Sequence, residues 1–391
     1  MSKWEMVRLG GVGAVITGNT PKTSDVKNYD SDDLYFVKPS DIAENVIARL
    51  NDSENYVSEY ARRSCRIVPQ NSVLVTCIGI IGKIGVTTSE VAFNQQINAI
   101  VPDADKCNHK FLAYAISRVR AELNHVANAA VVPIINKSQF SDIKIPLPPL
   151  DVQKKIADIL DHASALIEKR KAQIAKLDLL VKSQFAEMFG DPVTNSMGWD
   201  IKPLGEITNS RLGKMLDAKK QTGENNYPYL ANFNVQWFRI DFSKLNEMDF
   251  NETDRIEFAL EYGDLLVCEG GEVGRTAIWE NEMVDCFFQK AIHRVRCDIN
   301  ICIPEYMAWI MYQKATTTNF DGLVTSATIA HLTGEKLKRL MVQVPPLDLQ
   351  HSFAEFIHAV DESKTKMRLG LDKLELLHKS LMQKCFNGEV L

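Results

Sequence analysis

The sequence runs to 391 residues and lacks several features that would have decided its chemistry early. Its eight cysteines include no Cys-x-x-Cys pair, and the nearest two are Cys297 and Cys302. Neither a disulfide framework nor a zinc ribbon is indicated, so all eight read as reduced thiols of a cytoplasmic protein. No apolar run is long enough to cross a bilayer, and the stretch from Met1 to Gly10 has no signal-peptide core. A basic excess is missing too: 45 Lys and Arg face 50 Asp and Glu, a net charge of −5. Residues 1–150 carry 16 basic and 15 acidic groups, whereas residues 191–347 carry 16 and 22. Such a chain does not hold a nucleic acid by bulk charge. Were DNA the ligand, the cations would have to gather on one face, or a partner would have to supply much of the phosphate attraction.

Catalytic constellations are equally scarce. The Pro-Pro pairs at Pro148-Pro149 and Pro345-Pro346 are preceded by Leu147 and Val344 and followed by leucine. They have neither the amide or carboxylate nor the aromatic with which an adenine methyltransferase grips a flipped base. Gly79-Ile80-Ile81-Gly82-Lys83 resembles a phosphate loop only faintly, because Cys77 stands where the Walker spacing needs glycine and Ile84 where it needs Ser or Thr. A tight turn between strands explains it better. His293 and His331 have no triad or metal-ligand spacing around them and read as core or loop histidines.

What is present is a unit written twice. Val73-Leu74-Val75 with Gly79, Gly82 and Lys83 is answered by Leu265-Leu266-Val267 with Gly271, Gly274 and Arg275. Asn94-Gln95-Gln96 is answered by Phe288-Gln289-Lys290, allowing one slipped residue. Pro148-Pro149-Leu150-Asp151-Val152-Gln153 is answered by Pro345-Pro346-Leu347-Asp348-Leu349-Gln350. The period is too long for a solenoid, and two copies fill the length with no room for a third domain. Each copy opens with a Trp-containing strand signal (Trp4 to Leu9, Trp199 to Leu204), passes through short β-rich segments and a glycine loop, and reaches Pro-Pro, which stops a strand because proline cannot donate to a ladder. The expectation is an α+β protein: two similar α/β domains, related by a pseudo-two-fold axis, at residues 1–150 and 191–347.

After each Pro-Pro the period becomes helical. Ile156, Leu160, Ala163, Ile167, Arg170, Ile174, Leu177 and Val181 follow 4-3 spacing, as do Phe353, Ile357, Val360, Lys364, Met367, Leu371, Leu374, His378 and Leu381. Sustained 4-3 spacing predicts a coiled-coil seam, placing spacer helices at 151–190 and 348–391; the other reading is two surface helices, each packed locally. Each seam residue buried contributes roughly 1.5–3 kcal/mol, and two-fold related copies make the pairing antiparallel. A centred register brings Arg170 near Lys364, which repel, so either the register is shifted or both side chains reach outward to Asp361 and Glu362.

The duplicated order of strand, glycine loop, strand, Asn-Gln or Phe-Gln, Pro-Pro-Leu-Asp-x-Gln and long helix resembles the specificity (S) subunit of type I restriction-modification enzymes. Gly18-Asn19-Thr20-Pro21, Lys38-Pro39-Ser40-Asp41, Gly213-Lys214-Met215-Leu216-Asp217 and Tyr229-Leu230-Ala231-Asn232 are similar to that family's domain signatures. The resemblance spans essentially the whole chain. It implies two target recognition domains, each reading one half of a bipartite, asymmetric double-stranded DNA site, separated by the antiparallel helices as spacer. It also implies docking of two methyltransferase (M) subunits that modify adenine with S-adenosylmethionine, and of restriction/translocase (R) subunits using ATP and Mg. The chain itself would be non-catalytic and hold no cofactor, metal or membrane. A helix of about 30 residues spans ~45 Å and a turn of B-DNA about 34–36 Å, so two readers about a turn apart are geometrically sensible. The reading from a different class is a two-domain coiled-coil scaffold that binds proteins and not DNA.

Base reading needs Arg, Lys, Asn and Gln on exposed loops. The candidates are Thr20, Lys22, Lys38, Ser40, Asn94 and Gln95 in the first copy. In the second they are Lys214, Lys219, Lys220, Asn232, Asn234, Gln236, Arg239 and Arg275. Because Asn94, Gln95, Gln289 and Lys290 sit in a shared anchor, the expectation for them leans to holding the fold or facing a partner, since readers of unlike half-sites should differ between the copies.

Overall fold

The computed structural model describes residues 4–127, 132–217, 221–318, 320 and 331–389. The chain divides into two compact units, Met1–Ala172 with Leu369–Leu391, and Gln173–Arg368. The helices Leu150–Phe189 and Leu347–Asn387 each contribute to both units. Where the sequence sets 151–190 and 348–391 apart as spacers, compactness cuts across each long helix instead.

In the first unit a five-stranded sheet has the order Gly13–Thr17, Ile97–Pro102, Val73–Thr76, Ile84–Thr87, Ile47–Leu50. Only the last pairing is parallel. A second sheet orders Tyr56–Val57, Leu34–Val37, Val91–Phe93 and Ile67–Val68, with Leu34–Val37 and Val91–Phe93 parallel. A short pair, Met6–Arg8 with Lys144–Pro146, closes the unit ahead of the Pro-Pro turn. The second unit repeats the plan. Thr208–Leu212, Ile292–Cys297, Leu265–Cys268 and Thr276–Ile278 form an antiparallel sheet. Asn246–Asp249, Asn226–Leu230 and Phe287–Phe288 form the other, its Asn226–Leu230 and Phe287–Phe288 strands again parallel. Asp200–Pro203 pairs with Met341–Val344. The strands Val73–Thr76 and Leu265–Cys268 are buried at every residue, in keeping with the apolar runs Val73-Leu74-Val75 and Leu265-Leu266-Val267 and cover on both faces.

The repeated motifs have repeated causes. Gly79, Gly82, Gly271 and Gly274 all take positive φ, between 76° and 79°, where a Cβ is strained. Gly18 and Gly213 need no φ argument: a Cβ there would lie 2.2 Å from the Asn94 carbonyl oxygen or 2.4 Å from that of Gln289. The glutamine of Pro-Pro-Leu-Asp-x-Gln is a buried latch. Gln153 accepts from Asn108 N–H at 2.8 Å and donates to the carbonyls of Lys106 and Pro148. Gln350 accepts from Ile303 N–H at 3.0 Å and donates to those of Ile301 and Pro345. Each ties the start of a long helix to the N-terminus of its domain's own helix, His109–Arg118 or Pro304–Thr317, where backbone donors otherwise lack partners.

Within each unit the long helices run antiparallel. In the first, Ser164 meets His378 at 3.2 Å and Lys171 meets Glu375 at 3.4 Å. In the second, Lys364 pairs with Asp178 at 2.7 Å, while Phe353 packs on Phe185 and Phe189. Ile156, Leu160, Ile167, Val181, Phe353 and Val360 are buried; Ala163, Ile174, Leu177, Ile357, Met367, Leu371, Leu374 and Leu381 are half-buried. The centred register does not occur. Arg170 lies over Gly370, where a Cβ would come within 2.5 Å of its Nη1, and Lys364 is neutralised by Asp178 and Asp361. The glycine in mid-helix, a residue that costs about 1 kcal/mol there relative to alanine, thus makes room for the guanidinium.

Candidate nucleic-acid interface

In each unit the turns that follow the central strands gather at one end of the sheets. In the first unit Gly18 N–H donates to the Ile97 carbonyl and Asn19 N–H to that of Phe93; Asn94 N–H donates to Val37 and Cys77 N–H to Gln96. These bonds bring together the loops at 18–22, 38–41, 77–83 and 94–96. In the second unit Gly213 N–H donates to Ile292, Lys214 N–H to Phe288, Gln289 N–H to Leu230 and Glu269 N–H to Ala291. The loops at 213–217, 231–234, 269–275 and 289–291 therefore form the counterpart.

The frame of this cluster is built from inward-turned polar groups. Lys83 Nζ donates to the Pro39 carbonyl at 2.9 Å, and Arg275 Nη2 donates to the Asn232 carbonyl at 2.6 Å, the same position two residues past the same strand. Asp41 accepts from the N–H groups of Lys38 and Glu54 and from the Ser53 hydroxyl. Asn234, 1% exposed, accepts from Ala231 N–H and donates to the carbonyls of Asp241 and Lys244. Lys38-Pro39-Ser40-Asp41 and Ala231-Asn232-Phe233-Asn234 are thus one turn with different lettering.

The candidate readers separate accordingly. Thr20, Lys22, Ser40 and Gln95 are exposed at the loop tips. Asn94 is buried, its amide spent on Gln96, and Lys38 donates to Asn55 Oδ1 at 2.6 Å. In the second unit Asn234 and Arg275 belong to the frame, which corrects their place among exposed readers: every polar atom of the Asn234 amide is engaged, and Arg275 clamps the glycine turn while pairing with Glu272 at 3.2 Å. Lys214 is also committed, to Asp254 at 2.6 Å and to the Asp249 carbonyl. Asn232 and Gln236 are half-exposed, Gln236 donating to the Phe233 carbonyl, and Arg239 is exposed. Lys219 and Lys220 lie outside the described residues. Lys290, which the shared anchor places with the fold-holding or partner-facing residues, is exposed at the tip equivalent to Gln95. The signal for it was the mismatch of Gln95 and Lys290 inside an otherwise shared anchor.

Electrostatically the two clusters differ. Glu269 and Glu272 of the second glycine turn are not loose: Glu269 lies 3.7 Å from His293, and Glu272 accepts from Trp237 Nε1 at 2.6 Å. Burial holds His293 below the usual histidine range, Glu269 opposing, and its Nε2 contacts the Leu332 carbonyl at 3.1 Å. Burial would raise Asp249, but the N–H groups of Gly223, Thr222 and Asn225 and the Thr222 hydroxyl hold it down at about 2. It fastens the chain that follows residue 220. Among the described residues no cluster of His, Cys, Asp and Glu could hold a metal ion, and no helix is long and apolar enough to cross a membrane.

Two domains of one plan, each presenting a cluster of differing tips on a shared frame, define a duplicated recognition protein. The family model "Type I restriction modification DNA specificity domain" matches residues 1–177 and again 197–373, and the chain belongs to that family. It is 25% identical over 240 residues to the MjaIX specificity subunit of Methanocaldococcus jannaschii, a match covering 57% of this chain and 55% of that protein. With the EcoBI specificity subunit of Escherichia coli it shares 21% identity over 99% of this chain and 86% of the other. A chain from a structure of type I R-M complex assembly superposes with a TM-score of 0.64 at 16% identity, covering 99% of this chain and 98% of that one.

Proposed function

We propose that the chain is the DNA sequence-specificity subunit of a type I restriction-modification enzyme, acting in the cytoplasm. Each domain reads one half of a bipartite, asymmetric site through its loop cluster. Thr20, Lys22, Ser40 and Gln95 face DNA from the first domain; Asn232, Gln236 and Arg239 do so from the second. The chain carries no chemistry of its own. Methyltransferase subunits bring S-adenosylmethionine and modify adenine, and restriction/translocase subunits bring ATP and Mg. Those partners dock on the long helices, which expose Leu166, Leu179, Leu180, Leu369, Leu376 and Leu377 away from the seam. The observation that carries this reading is the duplication of an inward-turned frame bearing unlike tips, as two unlike half-sites demand.

The test is DNA binding by the full chain with and without its methyltransferase partner, together with a map of methylated adenines in cells expressing both. Weak binding alone, tight sequence-specific binding in the complex and a split methylation motif are expected. Replacing residues 1–150 with another such domain is expected to change one half of the motif only. Absence of specificity in every subunit mixture would leave the protein-binding scaffold as the better account.

A further inference from the structure

We propose that Gln95 and Lys290 each set one base of the target, adenine in the half read by the first domain and guanine in the half read by the second. This rests on the reading of the two domains as DNA readers and goes further by naming the residue and the base.

The two positions are the same place in the fold. Asn94 N–H donates to Val37 as Gln289 N–H donates to Leu230; Ile97 N–H returns to the Asn94 carbonyl as Ile292 N–H returns to that of Gln289; Cys77 N–H donates to Gln96 as Glu269 N–H donates to Ala291. The residue between these anchors is the outermost of its turn, and both Gln95 and Lys290 are exposed. Backbone pinned on either side leaves little main-chain entropy to lose when the side chain engages a ligand. These positions differ in chemistry while their supports agree, as expected of readers and not of frame.

The chemistry of each side chain selects its base. Adenine offers N6–H and N7 in the major groove, and glutamine answers with a carbonyl acceptor and an amide donor. The Thr20 hydroxyl donates to Gln95 Oε1 at 2.7 Å, taking one lone pair and fixing which way the amide points. The second lone pair is left for N6–H and the Nε2 hydrogens for N7. Lysine has donors only and matches guanine, whose O6 and N7 are both acceptors. Lys290 is in no ion pair among the described residues, and its own N–H, bonded to the Lys214 carbonyl at 2.9 Å, holds the stem in place.

The experiment uses the full chain assembled with its methyltransferase partner. Methylated motifs are mapped for the wild type, Gln95→Lys, Lys290→Gln and Thr20→Val, and binding is measured on duplexes changed at one base pair. Gln95→Lys is expected to move one position of the first half from adenine toward guanine and leave the second half intact. Lys290→Gln is expected to do the reverse in the second half. Discrimination at the affected pair should fall roughly 5- to 150-fold, and Thr20→Val should lower it without changing the preferred base. Parental motifs and parental discrimination in both exchange variants would overturn the proposal. So would loss of all binding by variants that still assemble, because a tip residue does not support the frame. Failure of the wild-type complex to show any split motif would instead defeat the underlying functional reading.

Discussion

At equivalent places against the long helices the two domains solve one packing problem with opposite chemistry. Tyr114 of the first domain donates to Asp161 at 2.8 Å, Lys110 pairs with the same carboxylate at 2.6 Å, and Ser164 meets His378. The counterpart of Tyr114 is Trp309, which stacks on Phe238 at 4.6 Å and lies near Phe185 and Phe353. Phe238 does this from a left-handed backbone conformation, φ 60°, which an aromatic residue adopts only at a cost. The fold therefore specifies that this position be filled by something large, and leaves open whether hydrogen bonds or rings hold it.

That contrast can be broken at three strengths. Trp309→Ala opens the aromatic cluster and should destabilise the second domain by about 3–5 kcal/mol, whereas Tyr114→Phe removes only the hydroxyl and should cost about 1–3 kcal/mol. Amide hydrogen exchange followed by mass spectrometry separates the two domains, and equal losses would mean the junctions are not alternatives. The glutamine latches test the opposite claim, that the frame is shared. Gln153→Leu and Gln350→Leu each orphan buried groups and should cost about 2–3 kcal/mol in their own domain, similar in both by the same exchange measurement; a large difference would mean the repeated motif plays unequal roles. The smallest effect is acid sensitivity. Burial keeps His378 below its ordinary value, so the unfolded chain takes the proton first. Its contribution is complete above about pH 6.5 and is lost as pH falls below that. The matching position on the other helix is Val181. His378→Val should therefore flatten the fall in melting temperature between pH 7.5 and 5.5, and an unchanged slope would remove His378 from the account.

Much of this was legible in the residues, for reasons that can be named. Gly79, Gly82, Gly271 and Gly274 advertise a turn that side chains resist, and the 4-3 run from Ile156 to Val181 declares a seam because its period is unlike that of the strands before it. The inward or outward aim of loop residues was not legible. Asn94 and Gln95 are chemically near-identical neighbours, yet one is buried and the other exposed, because the turn between parallel-paired and antiparallel strands leaves a single residue at its tip. Arg275 and Asn234 have the composition of base readers and serve as fasteners, a distinction made by carbonyls distant in sequence. The register of the long helices also escaped, since it hangs on Gly370 offering space to Arg170, and an isolated glycine in a heptad pattern does not announce its tenant.

Lys83 and Arg275 have one more consequence. Each donates to a carbonyl of the neighbouring turn, so two turns of the loop cluster are joined by side chains that lie beneath its outermost residues. Exchanging an outer side chain such as Gln95 or Lys290 is then expected to cost far less folding stability than removing Lys83 or Arg275, so the tips can be varied one substitution at a time on an unchanged scaffold.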